Sequence, residues 1–241
     1  RQNLQAGHHS RRYGLYGSHR GGKVSSIKGI KMKRLVVFGD SWPYGAELKA
    51  GEKTFGELLH EKLGTDSFVN CSQEGTSIDH LVVQLKQYMS EANLGTDIAV
   101  FFISNPIRYM IHKEGNWDTI RPTGDKSMNT RFYYEYLQSD ELDNHRANTS
   151  ILALQAMCRY STTIVKDIYL EGWSAIDWSY PSINKQKFLP KSALQMFEAN
   201  MNKQTNELVK NQRNPFIYPN KYHPNQKGHT LIAEELYKFA K

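Results

Sequence analysis

The stretch that most constrains the fold is a short apolar run that ends abruptly in polar residues. Leu35-Val36-Val37-Phe38 is followed at once by Gly39-Asp40-Ser41. An uninterrupted apolar run of this length is typical of a parallel strand that is buried on both faces. In an open α/β sheet, the ends of such strands carry the reactive side chains. Ser41 is therefore a candidate nucleophile, although Gly-Asp-Ser alone is also an ordinary turn sequence.

Length and composition indicate one α/β domain. The chain has 241 residues, enough to bury a sizeable core. It contains neither an apolar stretch of the roughly 18 residues that span a bilayer nor an apolar segment typical of a signal peptide. Cys71 and Cys158 lack the number and spacing of a disulfide framework or a metal site, so we expect two reduced thiols. These features predict a cytoplasmic protein without a membrane partner.

The basic character of the sequence is confined to its start. The net charge is +7, but residues 1–34 hold nine Lys or Arg and no acid, leaving 22 basic and 24 acidic residues in the remainder. Residues 1–31 show no hydrophobic period and predict a poorly packed N-terminal arm, with Met32 as the expected natural start. The arm's Arg and Tyr residues could bind nucleic acid. Because the remaining chain is not basic, we do not expect a nucleic-acid partner.

Beyond the arm, periodicity predicts alternating strands and helices, which is typical of a mostly parallel sheet with right-handed crossovers. The predicted strands are 33–38, 67–70, 97–103, 164–170 and 215–218. The predicted helices are 55–63, 78–89, 148–160, 191–210 and 225–239.

Residues 107–145 do not follow this alternation. We predict an insertion over the carboxyl edge of the sheet, where loops shape a pocket, or a surface excursion with its own small core. Several loop aromatics could stack against sugar rings, although packing would explain them equally well. They are Trp42, Tyr44, Trp117, Trp173 and Trp178.

Three further residues fall at predicted boundaries on the same edge as Ser41. Gly75 follows the second strand, Asn105 follows the third, and His223 precedes the last helix. In a parallel sheet these residues gather at one edge. The flanking Asp40 and His229 are interpreted as a turn or capping residue and a structural residue, respectively.

These four positions resemble the SGNH (GDSL-like) hydrolase family, whose four blocks supply Ser, Gly, Asn and His in this order. The resemblance covers about residues 33–241. It is carried by Phe-Gly-Asp-Ser in the first block and by His-Pro-Asn-x-x-Gly-His in the last. The second block, residues 70–77, is a fair match. The third has Ile-Ser-Asn-Pro where the family has Gly-x-Asn-Asp. The resemblance implies a three-layer α/β/α, flavodoxin-like fold with a mostly parallel five-stranded sheet.

The resemblance also implies roles for these residues. Ser41 would be the nucleophile and His223 the base that takes its proton. The backbone N–H groups of Ser41 and Gly75 and the amide of Asn105 would form the oxyanion hole. The family's last block is Asp-x-x-His, but this chain has Asn220 at the acid position. We therefore predict a Ser41–His223 dyad with Asn220 as a candidate orienting residue, or else a weak or inactive enzyme.

The predicted function is hydrolysis of a carboxylic ester through an acyl-enzyme, with an O-acetyl group on a carbohydrate as the favoured substrate. No cofactor and no metal are expected. The alternatives are a catalytically inactive glycan-binding module and a lipid esterase or thioesterase. The candidate substrate-binding residues are Trp42, Tyr44, Arg108 and Tyr222. Arg108 could bind an anionic group of the substrate or form a structural ion pair.

Overall fold

The structure is a computed structural model, and it describes residues 33–91, 96–113, 116–120, 128–173, 176–204, 214–218 and 223–241. The predicted N-terminal arm, Met32, Asn220 and Tyr222 lie outside these ranges. Among the helices within them, none combines the length and the apolar character that a bilayer span requires.

Strands and helices alternate along the described chain, as the periodicity predicts. In chain order they are β1 (Lys33–Phe38), α1 (Ser41–Tyr44), α2 (Phe55–Leu63), β2 (Ser67–Asn70), α3 (His80–Glu91), β3 (Thr96–Ile103), β4 (Tyr109–Lys113), β5 (Asn116–Ile120), α4 (Met128–Phe132), α5 (Asp140–Tyr160), β6 (Ile164–Glu171), α6 (Ala193–Gln204) and α7 (Gln226–Ala240). A π-helical turn, Tyr133–Leu137, follows α4, and a 3-10 turn, Lys185–Lys187, precedes α6.

The central sheet has the strand order β2-β1-β3-β6, and every neighbouring pair in it is parallel. This order is that of the flavodoxin-like folds, in which the chain reverses direction across the sheet beside β1. Ser41 follows β1, so the candidate nucleophile lies at the middle of the sheet's carboxyl edge. The predicted fold class is confirmed.

Alternating side chains of β1 enter two separate cores, which makes three layers. Leu35 and Val37 pack with residues of α2, α6 and α7, whereas Val36 and Phe38 pack with residues of α3 and α5. All four are fully buried. Burying a side chain of this size contributes about 1.5–3 kcal/mol, so the short strand is a major source of the sheet's stability.

The predicted fifth strand over 215–218 is wrong. These residues form a turn and a single antiparallel bridge, Ile217 with Pro224, just before α7. On the outer side of β6, Tyr169 instead forms a single parallel bridge with Phe188. Residues 215–218 therefore pair with a loop and not with the sheet. Their apolar pattern is the same in either case, so the sequence does not distinguish the two.

In the segment predicted to be an insertion, the described residues form an antiparallel hairpin, β4 with β5, and then α4 and the π-helical turn. Helix α5 starts at Asp140, eight residues before the predicted start at 148. Ser139 caps it by accepting a hydrogen bond from the Leu142 N–H at 3.1 Å, and three acids lie in its first turn. A cap and N-terminal acids stabilise a helix whose opening turns are too polar to show an apolar period.

Candidate active site

Ser41 is the first residue of α1, and its position is set by the two residues before it. Asp40 caps the helix: its Oδ1 accepts a hydrogen bond from the Trp42 N–H at 3.0 Å. Gly39 lies so close to its neighbours that an added Cβ would be 2.9 Å from the Cβ of Phe102. The Gly-Asp pair therefore allows the strand to turn directly into the helix, leaving Ser41 at the edge of the sheet.

His223 lies beside Ser41, although the two residues are far apart in the sequence. Its Nε2 lies 2.9 Å from the Ser41 Oγ, which is hydrogen-bond distance. The segment that carries His223 is held by backbone bonds: the Tyr218 N–H donates to the His223 carbonyl at 3.1 Å, and the Asn225 N–H donates to the Phe216 carbonyl at 2.9 Å. Residues 216–218, wrongly predicted to extend the sheet, thus hold the candidate base in place.

The spacing of Asn225, Gly228 and His229 after His223 has a packing explanation. Asn225 caps α7 by accepting from the backbone N–H groups of Lys227 and Gly228. At Gly228 an added Cβ would lie 2.4 Å from the Phe216 carbonyl oxygen, so only glycine allows this close approach. His229 is fully buried, and its Nδ1 accepts a hydrogen bond from the Phe55 N–H at 3.1 Å. Burial lowers the pKa of His229 to about 4, so this residue is a neutral structural link to α2.

Gly75 and Asn105 follow the two strands that flank β1. Gly75 has a positive φ of 76°, and its loop is tied to Gly39 because the Gln73 N–H and the Thr76 hydroxyl both donate to the Gly39 carbonyl. The Asn105 Oδ1 accepts from the Ile107 N–H at 3.1 Å, which leaves its NH₂ as the remaining donor group. The predicted oxyanion-hole residues thus lie at the ends of three adjacent strands, with Ser41 in the middle.

Arg108 joins the loops around the candidate nucleophile. Its Nη1 donates to the Asp40 Oδ2 at 2.8 Å and to the Thr76 carbonyl at 3.2 Å. Arg146 in turn donates to the Arg108 carbonyl at 2.8 Å. Burial raises the pKa of Asp40, and the guanidinium of Arg108 opposes this rise. Of the two roles considered for Arg108, the structure has the ion pair. Its guanidinium, the candidate for binding an anionic substrate, is therefore engaged by Asp40.

Glu47 is the residue of this site that the sequence analysis missed. Its Oε2 lies 3.0 Å from the His223 Nδ1, on the side of the ring away from Ser41. The two atoms are within ion-pair distance but misaligned for a hydrogen bond, and no other described residue hydrogen-bonds this Nδ1. The neutral Asn220 at the expected acid position was the one indication that a carboxylate could come from elsewhere.

Trp42 is a core residue, which corrects its assignment as a substrate-binding residue. It is 3% exposed, and its ring contacts those of Phe102, Trp173 and Phe197. Trp178 also packs inward, and its Nε1 donates to Glu171. By contrast, Tyr44 is 52% exposed.

A cavity of about 260 Å³, lined by both polar and apolar groups, opens beside Asn105. Its walls come from the loop after β3 and from the start of α5. The lining residues are Asn105, Pro106, Ile107, Gln138, Asp140, Asp143 and Asn144. Within the described ranges, no group of three or more His, Cys, Asp or Glu side chains is arranged to hold a metal ion.

No protein-family model matches the sequence, and no curated protein matches it either. Solved structures do match. The crystal structure of TesA is 14% identical, covers 86% of this chain and 98% of that chain, and has a TM-score of 0.50. A member of the lipolytic protein G-D-S-L family from Veillonella parvula DSM 2008 is 14% identical over 86% of this chain and 97% of that chain, with a TM-score of 0.46. The psychrotrophic esterase EstA from Pseudoalteromonas sp. is 12% identical over 86% and 96%, with a TM-score of 0.45.

The likeness to TesA extends over nearly the whole of both domains, so it concerns the fold and not an isolated motif. The strand order β2-β1-β3-β6 and the serine directly after β1 agree with the fold that the four sequence blocks imply. The chain has the fold of the SGNH (GDSL-like) hydrolases.

Proposed function

We propose that the protein is a serine ester hydrolase that cleaves a carboxylic ester through an acyl-enzyme. The observation that carries this proposal is the 2.9 Å contact between the Ser41 Oγ and the His223 Nε2. A serine hydroxyl becomes a useful nucleophile only when a base takes its proton as it attacks, and a histidine at this distance can do so. Its place at the carboxyl edge, between two loops that offer hydrogen-bond donors, supports the same role.

In the acylation half, the Ser41 Oγ attacks the carbonyl carbon and its proton moves to the His223 Nε2. The C=O π electrons move to the carbonyl oxygen, which becomes an oxyanion. When the tetrahedral intermediate collapses, the bond to the alcohol oxygen breaks and His223 protonates that oxygen. The products of this half are the free alcohol and an ester on Ser41.

In the deacylation half, water replaces the alcohol. His223 takes a proton from the water as it attacks the acyl carbon, and the second tetrahedral intermediate releases the Ser41 Oγ, which recovers that proton. In both halves the oxyanion needs donors already in place, and Ser41, Gly75 and Asn105 are the proposed sources. Loss of a single such donor in another hydrolase costs about 2.7–4 kcal/mol, so Asn105→Ala should lower kcat strongly.

The finer proposal is that the ester is an O-acetyl group on a carbohydrate. Its support is the cavity beside Asn105, in which amide and carboxylate oxygens can accept hydrogen bonds from sugar hydroxyls. Trp42 is buried and lends no support to stacking against sugars, whereas Tyr44 is an exposed aromatic candidate among the described residues.

The test is hydrolysis of p-nitrophenyl acetate, p-nitrophenyl esters of longer acyl chains, and acetylated mono- and oligosaccharides. The variants are Ser41→Ala and Ser90→Ala, the latter a control at an exposed serine near the end of α3. We expect acetate release that Ser41→Ala abolishes and Ser90→Ala retains. A preference for long acyl chains would overturn the carbohydrate proposal. Inertness toward every ester, with binding of a glycan, would identify a binding module.

A further inference from the structure

His223, the candidate base, has an acidic neighbour, Glu47, that lies far from it in the sequence. We propose that Glu47 is the positioning residue for His223, taking over the part that an acid three residues before the histidine plays in the SGNH family. Its carboxylate would orient the imidazole and stabilise the imidazolium that forms during acyl transfer. This inference rests on the proposed esterase function.

The first support is the position of the carboxylate. The Glu47 Oε2 lies 3.0 Å from the His223 Nδ1, and the Nε2 on the other side of the ring lies 2.9 Å from the Ser41 Oγ. The side chains of His223 and Glu47 are 23% and 28% exposed. Glu47, His223 and Ser41 are therefore arranged in the order acid, base and nucleophile, the arrangement that activates a serine. The site is partly shielded from water, which strengthens the interaction between the charges.

The second support is how Glu47 is attached to the nucleophile. The Ala46 N–H donates to the Ser41 carbonyl at 3.0 Å, and Gly45, with a φ of 86°, ends α1 and turns the chain. The Leu48 N–H then donates to the Gly45 carbonyl at 3.1 Å. The segment from Ser41 to Leu48 is thus a compact unit, and it holds the acid at a set distance from the serine.

The third support is backbone strain. Glu47 has a φ of 70°, the left-handed conformation, and is the only residue other than glycine with a positive φ among those the structure describes. This conformation disfavours most side chains, and residues that adopt it cluster at functional sites. Glycine would relieve the strain. A glutamate in this conformation is therefore consistent with a functional role for its carboxylate.

The other ionisable groups near His223 have other partners. Asp40 pairs with Arg108 at 2.8 Å. Glu52 accepts hydrogen bonds from the Lys49 N–H and from the Tyr218 hydroxyl, and the Lys49 ammonium lies over the Tyr218 ring. His229 is buried and accepts from a backbone N–H through Nδ1. Among the described residues, Glu47 is the acid within ion-pair distance of the His223 ring.

The misalignment of the pair is compatible with this role. Hydrogen bonds between catalytic groups are often long or poorly aligned without substrate and shorten when the substrate binds. The Glu47 Oε2 is already 3.0 Å from the Nδ1, so a hydrogen bond requires a change in angle and not in distance.

The experiment compares three variants, Glu47→Gln, Glu47→Gly and Glu47→Asp, with wild type and with Glu198→Gln. Glu198 is an exposed residue of α6, so this control removes the same charge away from the site. For each, kcat and KM for p-nitrophenyl acetate are measured, together with thermal unfolding. Glu47→Gly is also assayed with added formate, a carboxylate small enough to enter the space that the side chain leaves.

We expect Glu47→Gln and Glu47→Gly to lower kcat about 100-fold, with little change in KM. This loss is smaller than the roughly 10⁴-fold effect of replacing a buried triad Asp by Asn in a serine protease, because the pair here is partly exposed. Glu47→Asp should keep more activity than Glu47→Gln, and formate should restore part of the activity of Glu47→Gly. Glu198→Gln should match wild type.

The outcomes separate this inference from the proposed function. If wild type is active and Ser41→Ala is not, but Glu47→Gln has wild-type kcat, Glu47 is not the positioning residue and the esterase proposal stands. If activity falls but neither formate nor Glu47→Asp restores any, the role assigned to the carboxylate is wrong. If wild type itself is inert toward every ester, the proposed function fails and the inference fails with it.

Discussion

The carboxylate of Glu47 and the Nδ1 of His223 lie 3.0 Å apart, although one belongs to the loop after α1 and the other to the loop before α7. Helix α1, which directly precedes the first of these loops, carries Ser41. The two halves of the candidate site are therefore brought together by the packing of α7 against α2, which the buried His229 links through the Phe55 N–H. Substitutions at His229 should therefore affect mainly stability, whereas substitutions at Glu47 should affect mainly activity.

Replacing Glu47 by glycine should leave the protein at least about as stable as wild type. The left-handed conformation costs a non-glycine residue about 1–2 kcal/mol, whereas glycine loses about 0.5–1 kcal/mol through the greater entropy of its unfolded chain. We expect the free energy of unfolding of Glu47→Gly, measured by urea denaturation, to be no more than about 1 kcal/mol below that of wild type, or above it. Glu47→Val, which places a β-branched side chain at a φ of 70°, should be less stable than both. A loss of more than about 2 kcal/mol in Glu47→Gly would mean that the carboxylate has a structural role.

Removing the charge of Arg108 should destabilise the protein through Asp40. The carboxyl of Asp40 is fully buried, and Arg108→Gln leaves it without its cation. We expect a loss of about 3 kcal/mol at neutral pH, in the range for a buried pair that loses one partner. Burial raises the pKa of Asp40, and removing the opposing guanidinium should raise it further, so the loss should grow as pH rises through the range in which folded wild type has ionised Asp40 and the folded variant has not.

The double variant Asp40→Asn/Arg108→Gln provides the control for this prediction. Asparagine can still cap α1 but carries no charge, so the double variant should recover most of the stability that Arg108→Gln loses. If the two single losses simply add, the ion pair is not the cause.

His229 should make the protein less stable in mild acid. Burial lowers its pKa to about 4, below the ordinary value near 6.5, so between these values the unfolded chain binds a proton that the folded protein does not. Stability is therefore lost as pH falls through this window, by at most about 3 kcal/mol. Urea denaturation from pH 7 to pH 4 should show a shallower decline in His229→Gln than in wild type. Parallel declines in the two proteins would contradict the prediction.

Trp42 and Tyr44 are two residues apart but should respond differently to truncation. Trp42 is 3% exposed and packs against three aromatic rings, so Trp42→Ala should cost about 3–5 kcal/mol. Tyr44 is 52% exposed, so Tyr44→Ala should change stability by less than about 0.5 kcal/mol. Thermal unfolding tests both, and a stable Trp42→Ala protein would contradict the core position. A kinetic effect of Tyr44→Ala at unchanged stability would support a contact with substrate.

The sequence predicts those parts of the fold that depend on local pattern. Strand β1 and helices α2 and α7 are found within one residue of the predicted ranges 33–38, 55–63 and 225–239. Ser41 and His223, placed by motif and by their position at element ends, do meet. Each of these elements and motifs is defined by residues that lie close together in the sequence.

The parts that could not be predicted depend on contacts between distant segments. Residues 215–218 look like a strand, but their partner is the loop at 223–225 and not the sheet. Trp42 looks like a loop aromatic until α6 covers it with Phe197. No spacing rule connects Glu47 with His223, because the contact depends on how the turn at Gly45 directs the following residue.

The proposed chemistry requires that Ser41 is an activated nucleophile and that His223 activates it. Labelling of wild type and His223→Ala with a fluorophosphonate probe, followed by peptide mass spectrometry, tests this requirement. We expect the probe to react with Ser41 in wild type and to react far more slowly with His223→Ala that is still folded by circular dichroism. Absence of labelling in folded wild type, or equal labelling of both proteins, would contradict it.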